Sequence, residues 1–298
     1  MKKLSQFVIE KLKIKKSLYQ YFPTDLSELQ QIIIDKCNNI KDGYIDLTDV
    51  DVSSIDEMFY LFGTDNDKQF TNKNDIKTID VTGWNVSNVK DMDFIFNALP
   101  NLIEIKGLDT WDVSNVTSMK GFFYDCTNLK SIKGIENFKF NEKLKSLSQF
   151  FAFCDSLEEI NVNNWDVSNV SNFSIMFLYC RKLNELNLGN WKTKNAVNLR
   201  SMFETCDNLK KIIGLDNWDI SNVKSTDSMF KDCKNLESLP GIENWDVSNI
   251  THASQMFLGC KKLKGDLSNW KFDKNCKLKN IFVHTLSSKL KRCKTKFN

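Results

Sequence analysis

The sequence predicts an α/β solenoid in which every coil contributes one short parallel strand and one short helix. Three observations carry that prediction. Tryptophans recur at Trp84, Trp111, Trp165, Trp191, Trp218, Trp245 and Trp270, with Phe138 filling the one gap, in steps of 27, 27, 27, 26, 27, 27 and 25 residues. Further columns keep phase with them: phenylalanine twelve residues on (Phe96, Phe123, Phe177, Phe203, Phe230, Phe257) and cysteine fifteen on (Cys126, Cys180, Cys206, Cys233, Cys260), with Cys154 displaced by one inserted residue. Asparagine fills 33 positions, and two columns explain twelve of them. Asn137, Asn164, Asn190, Asn217, Asn244 and Asn269 precede the aromatic, and Asn88, Asn115, Asn169, Asn195, Asn222 and Asn249 sit four after it. Stacked asparagines can satisfy turn backbone along a repeat, because the side chain both donates and accepts.

The elements follow in chain order. Residues 1–40 lack the repeat and are expected to form a helical cap. Leu4, Phe7, Val8 and Leu12 suggest a first helix, and Pro23-Thr24-Asp25 opens a second carrying Leu26, Leu29, Ile33 and Cys37. The solenoid is expected over residues 41–285, as about eight coils. Its first unit is worn: Asp51-Val52-Ser53-Ser54-Ile55 echoes Asp112-Val113-Ser114-Asn115-Val116, Val50 takes the aromatic's place, and residues 63–75 form a polar insertion. In a typical unit Val113, Val116, Met119, Phe122, Phe123 and Cys126 fall on one face of a short helix. Ser114 is its expected N-cap, with Ser87, Ser168, Ser221 and Ser248 in the same place elsewhere. Leu183, Leu186 and Leu188 then mark a strand; in other units Gly107, Gly134, Gly214 or Gly241 follows it. After Trp270 the pattern is expected to dissolve through Leu278, Ile281 and Phe282 into a basic tail over residues 286–298. One strand and one helix per unit is a leucine-rich-repeat-like grammar, and such coils complete their burial only by stacking.

The run Trp111, Asp112, Val113, Ser114, Asn115, Val116, followed by Met119, Phe123, Cys126, Leu129 and Ile132, resembles BspA-type leucine-rich-repeat surface proteins, a repeat also abundant in mycoplasmas. The resemblance spans about residues 44–285. It implies a bacterial surface protein of the adhesion type that binds host proteins without catalysing a reaction. It also implies a helical segment before a first strand, which Pro23 to Leu47 matches.

Composition narrows the function classes. Hydrophobic residues make up 41% and charged residues 27%, which fits a folded chain. A net charge of +3, from 41 basic and 38 acidic residues, gives no bulk field for nucleic acid, which is not an expected partner. Two histidines, His252 and His284, leave little for catalysis or a metal centre, and no cofactor fingerprint occurs. The N-terminus shows no signal-peptide core, no run approaches a membrane span, and the nine cysteines have no paired framework. A cytoplasmic, reduced location is therefore expected from the residues, whereas the family resemblance points to the cell surface.

Several columns are candidates for chemistry. The cysteines are expected to point inward, reduced, on a flank where coil spacing widens to about 8–10 Å and forbids disulfides. Asp112, Asp166, Asp219 and Asp246 form an acidic column that could hold a cation or carbohydrate, but is expected to accept backbone N–H bonds. The tryptophans are expected in the core, not as a sugar-stacking ladder. What remains is the outward strand face, read as aromatic-free: Glu104 and Lys106, Ser131 and Lys133, Glu159 and Asn161, Glu185 and Asn187, Lys211 and Ile213. The resulting expectation is a monomeric, non-catalytic solenoid without cofactor or metal that binds a protein, such as a host or neighbouring-cell surface protein. The alternatives are a carbohydrate- or cation-binding solenoid using the acidic column, and an intracellular scaffold.

Overall fold

A computed structural model of the chain describes residues 18–63, 70, 72–285 and 290–293. The first expected helix, around Leu4, Phe7, Val8 and Leu12, lies outside those residues, as does most of the basic tail. The second is α1, Leu26–Cys37. Asp25 caps it by accepting from the Glu28 N–H at 2.9 Å, while Glu28 accepts from the Thr24 N–H at 2.8 Å. This reciprocal pairing fixes where the helix begins. Leu29, Ile33, Ile34 and Cys37 are its buried face, and α1 packs against the first strand.

Beyond α1 the chain is a repeat solenoid. Each coil passes from a short strand through a corner at the aromatic column and returns along an arc of turns. Strands β1 (Tyr44–Asp46), β2 (Thr78–Asp80) and β3 (Glu104–Lys106) form one parallel sheet in that order. β4 (Glu185–Asn187) pairs with β5 (Lys211–Ile213), and β6 (Gly265–Asp266) pairs with β7 (Leu290–Lys291), both in parallel. Ile45, Ile79 and Ile105 align across the first sheet and are buried, as are Leu186 and Ile212 across the second.

The repeat does not dissolve after Trp270. Phe282 keeps the phenylalanine column and stacks on Phe257 at 5.6 Å. The Ala253, Gln255, Phe257 and Gly259 N–H groups donate to the carbonyls of Lys277, Lys279, Ile281 and Val283. Pairing reaches Lys291, inside the segment expected as tail. Gly265 stands where an inward apolar residue marks the other strands, which hides this coil in the sequence.

The expected helix of each coil is absent, and so is its serine N-cap. Residues 119–126 are a chain of turns: the Tyr124 N–H donates to Gly121, Cys126 to Phe123 and Leu129 to Cys126. Such turns return an apolar side chain inward every third residue, as a helix face does, so periodicity alone could not separate the two. A helix is precluded because alternate N–H groups leave the coil. Those of Met92, Phe94, Phe96 and Ala98 donate forward to Ser118, Lys120, Phe122 and Tyr124 at 2.7–3.0 Å. Residues two before and two after the column phenylalanine adopt left-handed φ, such as Phe94 at 55° and Ala98 at 53°. Ser114, Ser168, Ser221 and Ser248 instead donate their N–H to the carboxylate two residues earlier, each at 3.0 Å. These are Asx-turns, in which a short acceptor folds onto its own backbone.

This ladder also removes the expected widening on the cysteine flank. Phe62, Phe96, Phe123, Phe151, Phe177, Phe203, Phe230, Phe257 and Phe282 stack ring on ring at 5.2–5.8 Å. Beside them Cys126, Cys154, Cys180, Cys206, Cys233 and Cys260 are buried and free, each thiol donating to a phenylalanine carbonyl of the preceding coil at 2.9–3.2 Å. Burial pushes these thiols up, which keeps them protonated and inert.

Coils come in two lengths. In long coils six residues separate the inward strand residue from the aromatic (Ile105 to Trp111), and the extra residue is taken up by a left-handed glycine and a 3-10 turn. In short coils the separation is five (Ile79 to Trp84) and no such turn forms. Gly214, at φ 92°, shows why glycine is needed: a Cβ there would lie 2.2 Å from the Gly189 Cα of the preceding coil.

Candidate functional site

The outward strand face is built by the pleat, which sends the residues flanking each buried isoleucine or leucine to solvent. Glu104 and Lys106 are exposed on either side of Ile105 in β3, and Glu185 and Asn187 flank Leu186 in β4. Register places Lys211 opposite Glu185, with Nζ 3.9 Å from Oε1. Similar pairs join Lys264 to Glu237 at 3.6 Å and Lys291 to Asp266 at 2.9 Å. Ile213 lies opposite Asn187, whose Oδ1 accepts from the Gly189 N–H at 3.0 Å.

The remaining expected residues are not on a paired sheet. Ser131, Lys133, Glu159 and Asn161 belong to segments that follow the same path but carry no strand pairing. The face is therefore two paired patches, β1–β3 and β4–β5, separated by an opening.

The face is not aromatic-free. Tyr44 of β1 shares a ladder position with Thr78 and Glu104. Its hydroxyl donates to Asp80 Oδ2 at 2.8 Å, and Lys106 Nζ stands 5.3 Å from its ring centre. The hydrogen bond to Asp80 pushes the Tyr44 phenol up to about 12. Burial acts to raise the Asp80 carboxyl, but the bonds from Thr82 and Tyr44 outweigh it and hold the group below its ordinary range. Counting back from Glu104 would have found Tyr44, had the insertion at 63–75 not broken the phase.

A second aromatic series escaped the sequence reading because it lies just outside the core columns. Tyr60, Phe94, Tyr124, Phe153 and Tyr179 run across the outside of the arc, with successive ring centres 4.8, 5.8, 5.3 and 5.1 Å apart. Lys120 covers Phe94 and Arg181 covers Tyr179. The ring faces meet one another or a cation, so the series staples neighbouring coils together.

The acidic column is committed to the scaffold. Hydrogen bonds from Ser114, Ser168, Ser221 and Ser248 hold Asp112, Asp166, Asp219 and Asp246 below the usual carboxylate range. Among the described residues no group of three or more His, Cys, Asp or Glu side chains could hold a metal ion. The tryptophans are buried throughout. Trp84, Trp165, Trp191, Trp245 and Trp270 donate their indole N–H to a carbonyl of the preceding coil at 2.7–3.0 Å. The asparagine columns work as anticipated: Asn115, Asn195, Asn222 and Asn249 donate their amides to the preceding coil at 2.7–2.9 Å, and Asn217 does so to Gly189 at 3.0 Å.

Among the described residues no helix is long and apolar enough to cross a membrane. No curated protein matches the sequence. Solved structures that it is similar to include a leucine-rich repeat protein from Eubacterium ventriosum, at 15% identity over 82% of this chain and 77% of that one, TM-score 0.33. A leucine rich cell surface protein from Faecalibacterium prausnitzii matches at 15% identity over 85% and 79%, TM-score 0.27. A leucine-rich repeat protein from Bacteroides ovatus matches at 16% identity over 77% and 76%, TM-score 0.28. The profile of the family described as "Mycoplasma protein of unknown function, DUF285" matches in overlapping windows at residues 31–131, 64–185, 99–214, 129–240 and 183–295, and this chain belongs to that family.

Proposed function

We propose that the chain is a non-catalytic interaction solenoid that binds a protein through its outward strand face, as a monomer and without cofactor. The observation that carries this reading is the division of labour between columns. The Trp, Phe, Cys, Asn and Asp columns each have a defined scaffold partner, whereas Glu104, Lys106, Glu185 and Lys211 stand exposed on rigid strands. Charges held in fixed register on a sheet favour recognition of a complementary protein surface. The description of the Faecalibacterium protein as a cell surface protein supports an extracellular setting, which we carry over as part of the proposal. In this reading residues 1–40 close the first coil, residues 41–285 form the binding array, and residues 286–298 are a basic tail. Affinity capture from host-cell surface extracts tests it, comparing the native chain with a Glu185→Lys, Lys211→Glu variant. A partner retained by the native chain and lost at least tenfold in the variant supports the reading. Equal retention, or no partner from any extract, rejects it.

A further inference from the structure

The opening between the two patches has a structural cause. Where a long coil precedes a short one, the strands must match across a one-residue difference in path length. At both such junctions among the described residues, between Ile132 and Ile160 and between Leu239 and Leu267, no strand pairing forms. At the first, Ser131–Lys133 and Glu159–Asn161 run side by side without a bond between them, although the arcs of the same two coils stay joined at 2.8–2.9 Å by Gly121, Phe123 and Asp125. The coils are thus splayed on the strand side only. A cleft of about 320 Å³ lies between the two segments, and a second of about 470 Å³ continues it towards Lys182 and Asn184. Ile132 and Ile160 are at its floor, and Ile160 is only half-buried where Ile105, Leu186 and Ile212 are buried.

We propose that this cleft takes an extended peptide segment from a protein partner, added as a strand across the break in the sheet. The proposal rests on the reading of the strand face as the binding surface and names the chemistry it would recognise. The backbone N–H groups of Ser131, Lys133, Glu159 and Asn161 have no partner among the described residues. An extended chain satisfies such a row with its own main chain, which is the basis of strand addition. The floor asks for an apolar side chain at every second position. One rim is basic, with Lys130 and Lys133, and the other acidic, with Glu158 and Glu159, so the outward positions should carry both signs of charge. The volume lies within the ordinary range for a ligand site, roughly 300–1,000 Å³.

The test uses the full chain and a fluorescein-labelled hexapeptide of sequence Ile-Lys-Ile-Glu-Ile-Lys, read by anisotropy. Saturable binding is expected, abolished when alternate peptide amides are N-methylated. Ile160→Lys should weaken it at least tenfold, Glu159→Lys, on the exposed rim, at least threefold, and Glu185→Lys, on an intact strand pair, not at all. Amide exchange at 131–133 and 159–161 should slow in the complex. The proposal is overturned if the peptide does not saturate, if the methylated peptide binds equally, or if Ile160→Lys and Glu159→Lys bind as the native chain does. It is also overturned if light scattering shows a second copy of the chain already filling the cleft. A protein captured through Glu185 and Lys211 while no peptide binds would leave the proposed function standing and remove this inference alone.

Discussion

At the scale of the residue, the same side chain does different work in different coils, and the neighbouring coil decides which. The indole N–H of Trp245 donates to Leu215 at 3.0 Å, whereas those of Trp111 and Trp218 are buried without a partner. Trp111 and Trp218 are the two tryptophans of long coils that follow short ones. Truncation to phenylalanine should therefore cost about 1 kcal/mol more at Trp245 than at Trp218, the worth of one net hydrogen bond, as read from denaturant midpoints. The Asx-turn aspartates give a second expectation. Their carboxyls are held low in the folded chain, so the stability they contribute is fully present above the unfolded value near ~4 and is lost as pH falls through the folded values. Replacing Asp112, Asp166, Asp219 and Asp246 by asparagine keeps the acceptor without the titration, as Asn85 and Asn198 already do in that geometry. The acid limb of the stability curve should be shallower in that variant.

At the scale of the element, the arc is where sequence and structure part. The column positions were legible in the sequence: Trp218, Phe230, Cys233 and Leu236 are all buried. The conformation joining them was not, because Val113, Val116 and Met119 fit a helix and a chain of turns equally well. The deciding feature is left-handed backbone at ordinary residues, among them Ile175 at φ 65°, which no residue type announces. A β-branched side chain there is strained by roughly 1–2 kcal/mol. Ile175→Asn should relieve more strain than the half-buried side chain returns in contact, raising the thermal midpoint by a few degrees, roughly the shift of 1 kcal/mol in a chain this long. A fall in midpoint would mean that the isoleucine packs too well to replace. The candidate face was legible at Glu104, Lys106, Glu185 and Lys211 for a simpler reason: strand alternation fixes which residues face out. Its interruption at Ser131 and Glu159 was not legible, since it arises from the order of long and short coils.

At the scale of the whole molecule, coil order governs where mismatch appears. A short coil followed by a long one keeps its strands paired and orphans an indole, as at Trp111 and Trp218; the reverse order satisfies the indole, as at Trp165 and Trp270, and opens the sheet. Each coil bonds only to its neighbours, so damage should stay local. Trp218→Ala should remove roughly 3–5 kcal/mol through transfer and cavity effects. Hydrogen exchange should then weaken in the coils that begin at Trp191, Trp218 and Trp245, with those at Trp84 and Trp111 least affected. Uniform loss of protection would show that the array folds as one unit.

The arc's forward bonds also give the molecule a direction. Every one of them, from Met58 to Gly259, carries its N–H towards the C-terminal end and its carbonyl towards the N-terminal end. Peptide dipoles aligned in this way add along the axis, as they do in a helix, but here they run from coil to coil across hundreds of atoms of intervening chain. The two ends are then unlike: the first arc offers acceptors and the last offers donors. At the first, Gln30 of α1 reaches over to donate its amide to the Tyr60 carbonyl at 3.0 Å. At the last, the N–H groups of Asn280, Phe282 and His284 have no partner among the described residues. Whatever closes that end must bring oxygen, as α1 brings nitrogen to the other, and an array lengthened by further coils would keep the same polarity however long it grew.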